Sequence, residues 1–154
     1  MDFDYYYGGI VVCSKTLIYI SCLSGERCIM PKIKVLIIEE FKYIADLNII
    51  ELKRGGFEVD SHYICSEEAM RQVMSNNEFD IVLSDNSTPH FNAVQALLTR
   101  NALSPKTPFI IVSEDVSPEA IKFAMQNGCC AYLLKENLHQ LAILVRNILN
   151  RECK

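Results

Sequence analysis

The sequence predicts an α/β fold: a doubly wound sheet of five parallel strands, (βα)5, in a three-layer αβα sandwich. Three observations carry that prediction. Near-continuous apolar runs, such as Ile33–Ile38, Ile81–Leu83 and Pro108–Val112, read as strands buried on both faces. The segments between them show the apolar spacing of helices packed on one side. The two kinds alternate from residue 32 to about residue 150, which argues for βα units rather than separate all-α and all-β parts.

In chain order, Ile33–Ile38 is a central strand that stops at Glu39-Glu40. Phe41 to Arg54 is a helix with Ile44, Leu47, Ile50 and partly Ile49 expected on its inner side, closed by Gly55-Gly56. Phe57 to Tyr63 alternates weakly, as a strand nearer an edge would. Ser66 caps the next helix, with Ala69, Met70 and Val73 facing in. Phe79–Ser84 is the third strand, and Phe91 to Leu103 is helical. Pro108–Val112 is the fourth strand, ending at Ser113. Ser117-Pro118-Glu119 is a helix start, with proline at the first helical position after a serine cap. That helix should bury Ile121, Ala124, Met125 and Gly128 and leave Phe123 outside. Tyr132–Leu134 is the fifth strand, ending at Lys135. Asn137 caps a last helix that should bury Leu138, Leu141, Ala142, Val145, Ile148 and Leu149, with Ile143 on its polar side.

The 154 residues have the length of one domain with a full core. The organisation expected is an N-terminal extension, residues 1–30, followed by the main domain, 31–154. The extension admits two readings: a loosely attached extension or an upstream start codon, or an extra hairpin or interface arm using Val11-Val12 and Leu17–Ile20. Its apolar stretch is broken by Lys15 and is too short to span a bilayer. A net charge of −4 without a basic stripe disfavours nucleic-acid binding. Seven cysteines without paired metal-ligand spacing read as reduced thiols of a cytoplasmic protein.

Chemistry in such sheets collects at the carboxyl ends of the strands. Right-handed crossovers bring four of those ends to one rim. They carry Glu39-Glu40, Asp85, Ser113 and Lys135. Clustered carboxylates favour Mg2+, held by few protein oxygens plus water. An ionised aspartate there can attack phosphorus and become an aspartyl phosphate. The Lys135 ammonium and the Ser113 hydroxyl are placed to stabilise charge on the transferred group.

The motifs Val35-Leu36-Ile37-Ile38-Glu39-Glu40, Ile81-Val82-Leu83-Ser84-Asp85-Asn86-Ser87-Thr88-Pro89, Phe109-Ile110-Ile111-Val112-Ser113 and Gly128-Cys129-Cys130-Ala131-Tyr132-Leu133-Leu134-Lys135 go further together than any one alone. Over about Lys32 to Asn150 the chain resembles the receiver domain of two-component response regulators, the chemotaxis-regulator type with a flavodoxin-like sheet. The resemblance implies strand order 2-1-3-4-5. It implies phosphoryl transfer to Asp85 from a histidine on a kinase or phosphotransfer protein. It implies Mg2+ bound by Glu39 or Glu40, Asp85 and the Ser87 backbone carbonyl, and a switch in which Ser113 moves and Tyr132 turns inward. The chain departs from the family in having two glutamates in the acidic pair, Asn92-Ala93 in place of a glycine turn, and Glu136 after the lysine.

The function expected is therefore a signalling receiver rather than an enzyme, with slow self-dephosphorylation tuned by Ser87 and Asp115. The alternative is the same fold acting as a degenerate interaction module that takes no phosphate. Output is expected through contacts with a downstream protein or a second copy, at a patch containing Phe123 and Ile143, with no role for nucleic acid or membrane.

Overall fold

The computed structural model describes residues 6–7, 10–12, 30–115 and 117–152. Its elements in chain order are β1 (Tyr6–Tyr7), β2 (Ile10–Val12), β3 (Lys32–Ile38), α1 (Lys42–Arg54), β4 (Glu58–Ile64), α2 (Glu67–Asn76) and β5 (Ile81–Asp85). They continue with α3 (Ala93–Leu103), β6 (Phe109–Ser113), α4 (Pro118–Gln126), β7 (Ala131–Leu134), a 3-10 segment Lys135–Gln140 and α5 (Leu141–Glu152). The sheet order is β1-β2-β7-β6-β5-β3-β4. Pairing is parallel from β4 through β3, β5 and β6 to β7. Those five strands have the expected 2-1-3-4-5 order.

Every residue of β5, β6 and β7 is buried, as the unbroken apolar runs require of strands covered on both faces. Alternate side chains divide between two cores. Val35, Ile37 and Leu83 pack with Ala45 and Leu52 of α1 and with Leu141 and Val145 of α5. Leu36, Ile38 and Val82 pack on the other face with Met70 of α2, Leu97 of α3 and Ile121 of α4. β4 is the edge strand, with only Ile64 fully buried. The helix starts follow their caps: Ser66 Oγ accepts from the Ala69 amide, and Ser117 Oγ from that of Ala120 with Pro118 behind it. Asn92 and Gln95 form a reciprocal capping box where a glycine turn is missing.

The structure corrects the expected inner face of α1. Ala45, Asn48 and Leu52 are buried there, whereas Leu47 is 48% exposed and Ile50 43%. Apolar residues lie on several sides of this helix, so periodicity alone could not choose among them. The close approach of α1 to α5 decides it. A Cβ on Gly55 would clash with the Ala142 Cβ, so glycine is required at that crossing, and Ala45 and Leu52 are buried on the α5 side. Gly128, expected inside, is exposed; its φ of +89° ends the α4 turn and its carbonyl accepts from Arg100. The last α-helix begins at Leu141 rather than near Asn137, whose φ of −105° and ψ of 22° interrupt the preceding 3-10 segment. Leu144, absent from the expected stripe, is 2% exposed.

The parallel sheet is extended at its β7 edge. β1 and β2 form an antiparallel hairpin, and β2 pairs antiparallel with β7, Val11 opposite Tyr132. The described strands of this hairpin are Tyr6–Tyr7 and Ile10–Val12, so Val11-Val12 lies in it with Tyr6–Tyr7 as its partner. Leu17–Ile20, along with Cys13, Cys22 and Cys28, lies outside the described residues.

The orientation of α1 has a measurable consequence. Leu52→Ala should lower unfolding free energy by about 2–5 kcal/mol, and Leu47→Ala by less than about 0.5 kcal/mol. Urea unfolding of both variants checks the order, which the sequence periodicity alone would reverse.

Candidate functional site

β3, β5 and β6 run in parallel; on the same rim β5 and β6 end in Asp85 and Ser113, and Glu39 follows the end of β3. The rim residues are held by short local bonds before they meet one another. Glu39, 2% exposed, follows the last residue of β3. Its Oε1 accepts from the backbone amides of Glu40 at 2.8 Å and Phe41 at 3.2 Å, which aims the other oxygen into the pocket. Asp85, 5% exposed, ends β5. Its Oδ1 accepts from the Asn86 amide at 2.8 Å, and its Oδ2 from the Ser87 hydroxyl at 2.6 Å. Lys135 follows β7 and places Nζ 3.2 Å from Asp85 Oδ1 and 3.3 Å from Glu39 Oε2. The exposed Glu114 carboxylate stands 4.0 Å from the same ammonium.

Burial alone would push the Lys135 ammonium toward losing its proton. The Asp85 and Glu39 carboxylates outweigh that, and the net pKa is raised. At neutral pH the pocket thus holds two buried carboxylates and one ammonium.

Ser113 is 3% exposed, one position beyond Val112, the β6 partner of Asp85. Its Oγ accepts from the Asp115 amide at 3.3 Å. Tyr132 has its ring inside, 1% exposed. Its hydroxyl donates to the Asp115 carbonyl at 2.9 Å and accepts from the Asn86 amide group at 3.4 Å. Burial raises the pKa of this phenol, and hydrogen bonds with Ser113 and Asn86 partly offset the rise.

Of the residues singled out by sequence, Glu39, Asp85, Ser87 and Lys135 converge, and Ser113 borders them through Tyr132. Glu40 does not join: it is exposed, and its backbone carbonyl accepts from the Tyr63 hydroxyl at 2.7 Å. Among the described residues no three His, Cys, Asp or Glu side chains gather as a ready-made metal site. Two carboxylates suit a cation that takes few protein oxygens and keeps water. Glu39 Oε2 and Asp85 Oδ2 each accept one bond and retain lone-pair capacity, so the donor chemistry fits Mg2+. Phe123 and Ile143 are exposed, as expected. α4 and α5, which carry them, pack on opposite faces of the sheet. Two polar residues at the site were not singled out for it: Asn86, one after Asp85, and Asn48, a polar residue on the buried side of α1.

Comparison with known proteins follows this geometry. The family profile described as response regulator receiver domain matches residues 35–146. The two-component response regulator ARR11 of Arabidopsis thaliana is 30% identical over 110 residues, 69% of this chain and 21% of that protein, so the chain spans about a fifth of this relative's length. The crystal structure of a CheY-like receiver domain protein from Methanospirillum hungatei is similar in fold, with a TM-score of 0.68 at 22% identity over 80% of this chain and 96% of that one. The receiver domain of the Francisella response regulator 1452 gives a TM-score of 0.67 at 25% identity, covering 79% and 99%.

The ion pairs make one prediction about pH. Because the folded-state pKa of Lys135 lies above its ordinary 10.5, its stabilising contribution is fully present below that value and is lost as pH rises through the folded pKa. The stability difference between the native protein and Lys135→Met should stay constant from neutral pH to pH ~10 and shrink above it. Denaturant titrations across that range measure it.

Proposed function

The chain belongs to the response regulator receiver domain family, and on that premise we propose that Asp85 accepts a phosphoryl group from a histidine of a partner kinase or phosphotransfer protein. The observation that carries the reading is the Lys135 ammonium held between two buried carboxylates at the carboxyl rim of the sheet. An Asp85 carboxylate oxygen attacks phosphorus as the bond from phosphorus to the imidazole nitrogen breaks. The bonding pair leaves with that nitrogen, and the product is an acyl phosphate on Asp85.

In that exchange Asp85 gives up its pairing with Lys135, and the ammonium moves onto an oxygen of the transferred group. The Ser113 hydroxyl, near the end of β6, supplies a second donor. Mg2+ would be held by Glu39 and Asp85, with the Ser87 backbone carbonyl, while Glu40 stands at the rim. It would neutralise charge on the phosphoryl oxygens. The Ser87 hydroxyl, already on Asp85, and Asp115, beside Ser113, flank the acyl phosphate and set how readily water reaches it.

The output is a change of protein contacts rather than turnover of a substrate. Phe123 and Ile143, at 42% and 61% exposure, offer apolar contacts on either side of the β7 edge for a downstream protein or a second copy. A cytoplasmic setting agrees with Cys65, Cys129 and Cys130 lying outside any disulfide; burial pushes the Cys129 thiol up to about 12. No helix of the described residues is long and apolar enough to cross a membrane. The second reading, an unphosphorylated interaction module, is favoured by the exposure of Glu40, which leaves one glutamate rather than two in the pocket.

Incubation with acetyl phosphate and Mg2+, followed by intact mass measurement, separates the two. The native protein and Asp80→Asn should gain one phosphoryl group and Asp85→Asn none; Asp80 lies at the opposite end of the strand, where its carboxylate accepts from the Lys34 amide. Absence of the modification in the native protein would establish the unphosphorylated module instead. Ser113→Ala should retain Asp85 modification but slow it by on the order of 10²-fold.

A further inference from the structure

Beneath the acidic rim lies a small cavity of about 10 Å³, whose polar border is formed by Glu39, Asp85, Lys135, Ser84 and Asn48. Asn48 is 4% exposed, and its Oδ1 has no hydrogen-bond partner. The amide cannot be turned round to remove the problem. Its Nδ2 donates to the Ile44 carbonyl at 3.0 Å, and exchanging the two atoms would set oxygen against oxygen there. An acceptor left unpaired at this depth costs about 1–3 kcal/mol.

The other polar groups around the cavity define what can satisfy it. The Glu39 and Asp85 carboxylates are acceptors and cannot donate to Asn48. The Ser84 hydroxyl already donates to the Asp85 carbonyl at 3.1 Å. That leaves the Lys135 ammonium, which uses hydrogens on Asp85 and Glu39 and has a third available. The volume suffices for about one water molecule, and such a molecule would have polar partners on several sides, as internal waters require.

We propose that a single internal water occupies this cavity, accepting from Lys135 and donating to Asn48 Oδ1, so that Asn48 is a positioning residue for the Lys135 ammonium. This role rests on the phosphoryl-acceptor reading of Asp85, because only there does the placement of Lys135 set a rate. The bridge holds the ammonium low between the two carboxylates and fixes the point from which it moves to the phosphoryl oxygen. An apolar residue of the same shape would fill the helix stripe equally well and would lose the bridge.

The test uses the full chain and two substitutions that move stability and rate in opposite directions. Asn48→Leu replaces a buried amide and its ordered water with an apolar side chain of similar shape, so its melting temperature should equal or exceed that of the native protein. Its phosphorylation by acetyl phosphate should nonetheless be roughly tenfold slower, with the Mg2+ concentration for half-maximal rate unchanged. Asn48→Ser keeps an oxygen and leaves room for water, so it should be less stable yet closer to the native rate. A crystal structure of the native protein should show density bridging Asn48 Oδ1 and Lys135 Nζ. A native rate in Asn48→Leu, or an empty cavity in that crystal structure, overturns the proposal. A native protein that takes no phosphoryl group overturns the reading of Asp85 instead, and the crystal density then decides the water independently.

Discussion

The Lys135 ammonium between Glu39 and Asp85 is the interaction on which the rest of this rim depends. It joins the ends of β3, β5 and β7, three strands that sequence separates by tens of residues. The ammonium places a positive charge between two buried carboxyl groups that would otherwise face one another without a counter-charge. Removing one partner of such a buried arrangement typically costs about 3–5 kcal/mol, most of it the penalty of stranding the remaining charge. The geometry is also prepared locally. Glu39 is turned by two backbone amides at the entry to α1, and Asp85 by the Asn86 amide and the Ser87 hydroxyl. Donors fixed in this way need little reorganisation when charge moves.

How much of this was legible in the sequence follows from how local each cause is. Ile81-Val82-Leu83 reads as a doubly covered strand because no polar side chain interrupts it, and Asp85 stands out as the carboxylate at its end. Ser66 and Ser117 announce their helices because a cap bonds to residues three positions away. The inner face of α1 was not legible, because Ile44, Leu47, Ile49 and Ile50 are all apolar, and the face is chosen by contact with Ala142 of α5. The division of labour between Glu39 and Glu40 was not legible either. It depends on which of two consecutive side chains follows the strand direction into the pocket and which turns out with the loop. Asn48 left a trace, a polar residue on an otherwise apolar stripe, but its meaning requires the strand ends to be in place above it.

The pairing of β2 with β7 alters how the output surface should be understood. An open β7 edge would present unpaired backbone groups, a template for association with any other strand. Here β2 satisfies that edge. The outermost strand on that side is β1, and the β7 backbone itself is already paired on both sides.

Tyr132 stands at the junction of these features. Its backbone lies opposite Val11 in the β2–β7 ladder, while its ring is buried in the core on the side of the sheet that α2, α3 and α4 cover. Its hydroxyl reaches the Asp115 carbonyl on one side and the Asn86 amide on the other. Asn86 is covalently next to Asp85 and donates its own backbone hydrogen to that carboxylate. The loop after Asp85 and the Tyr132 hydroxyl are thus joined by a single side-chain hydrogen bond. With the ring already inward and bonded on two sides, any ligand that alters Tyr132 must do so by its differential affinity for arrangements of these same three groups. The hydroxyl of Tyr132 is therefore where chemistry at the rim and packing at the β7 edge meet.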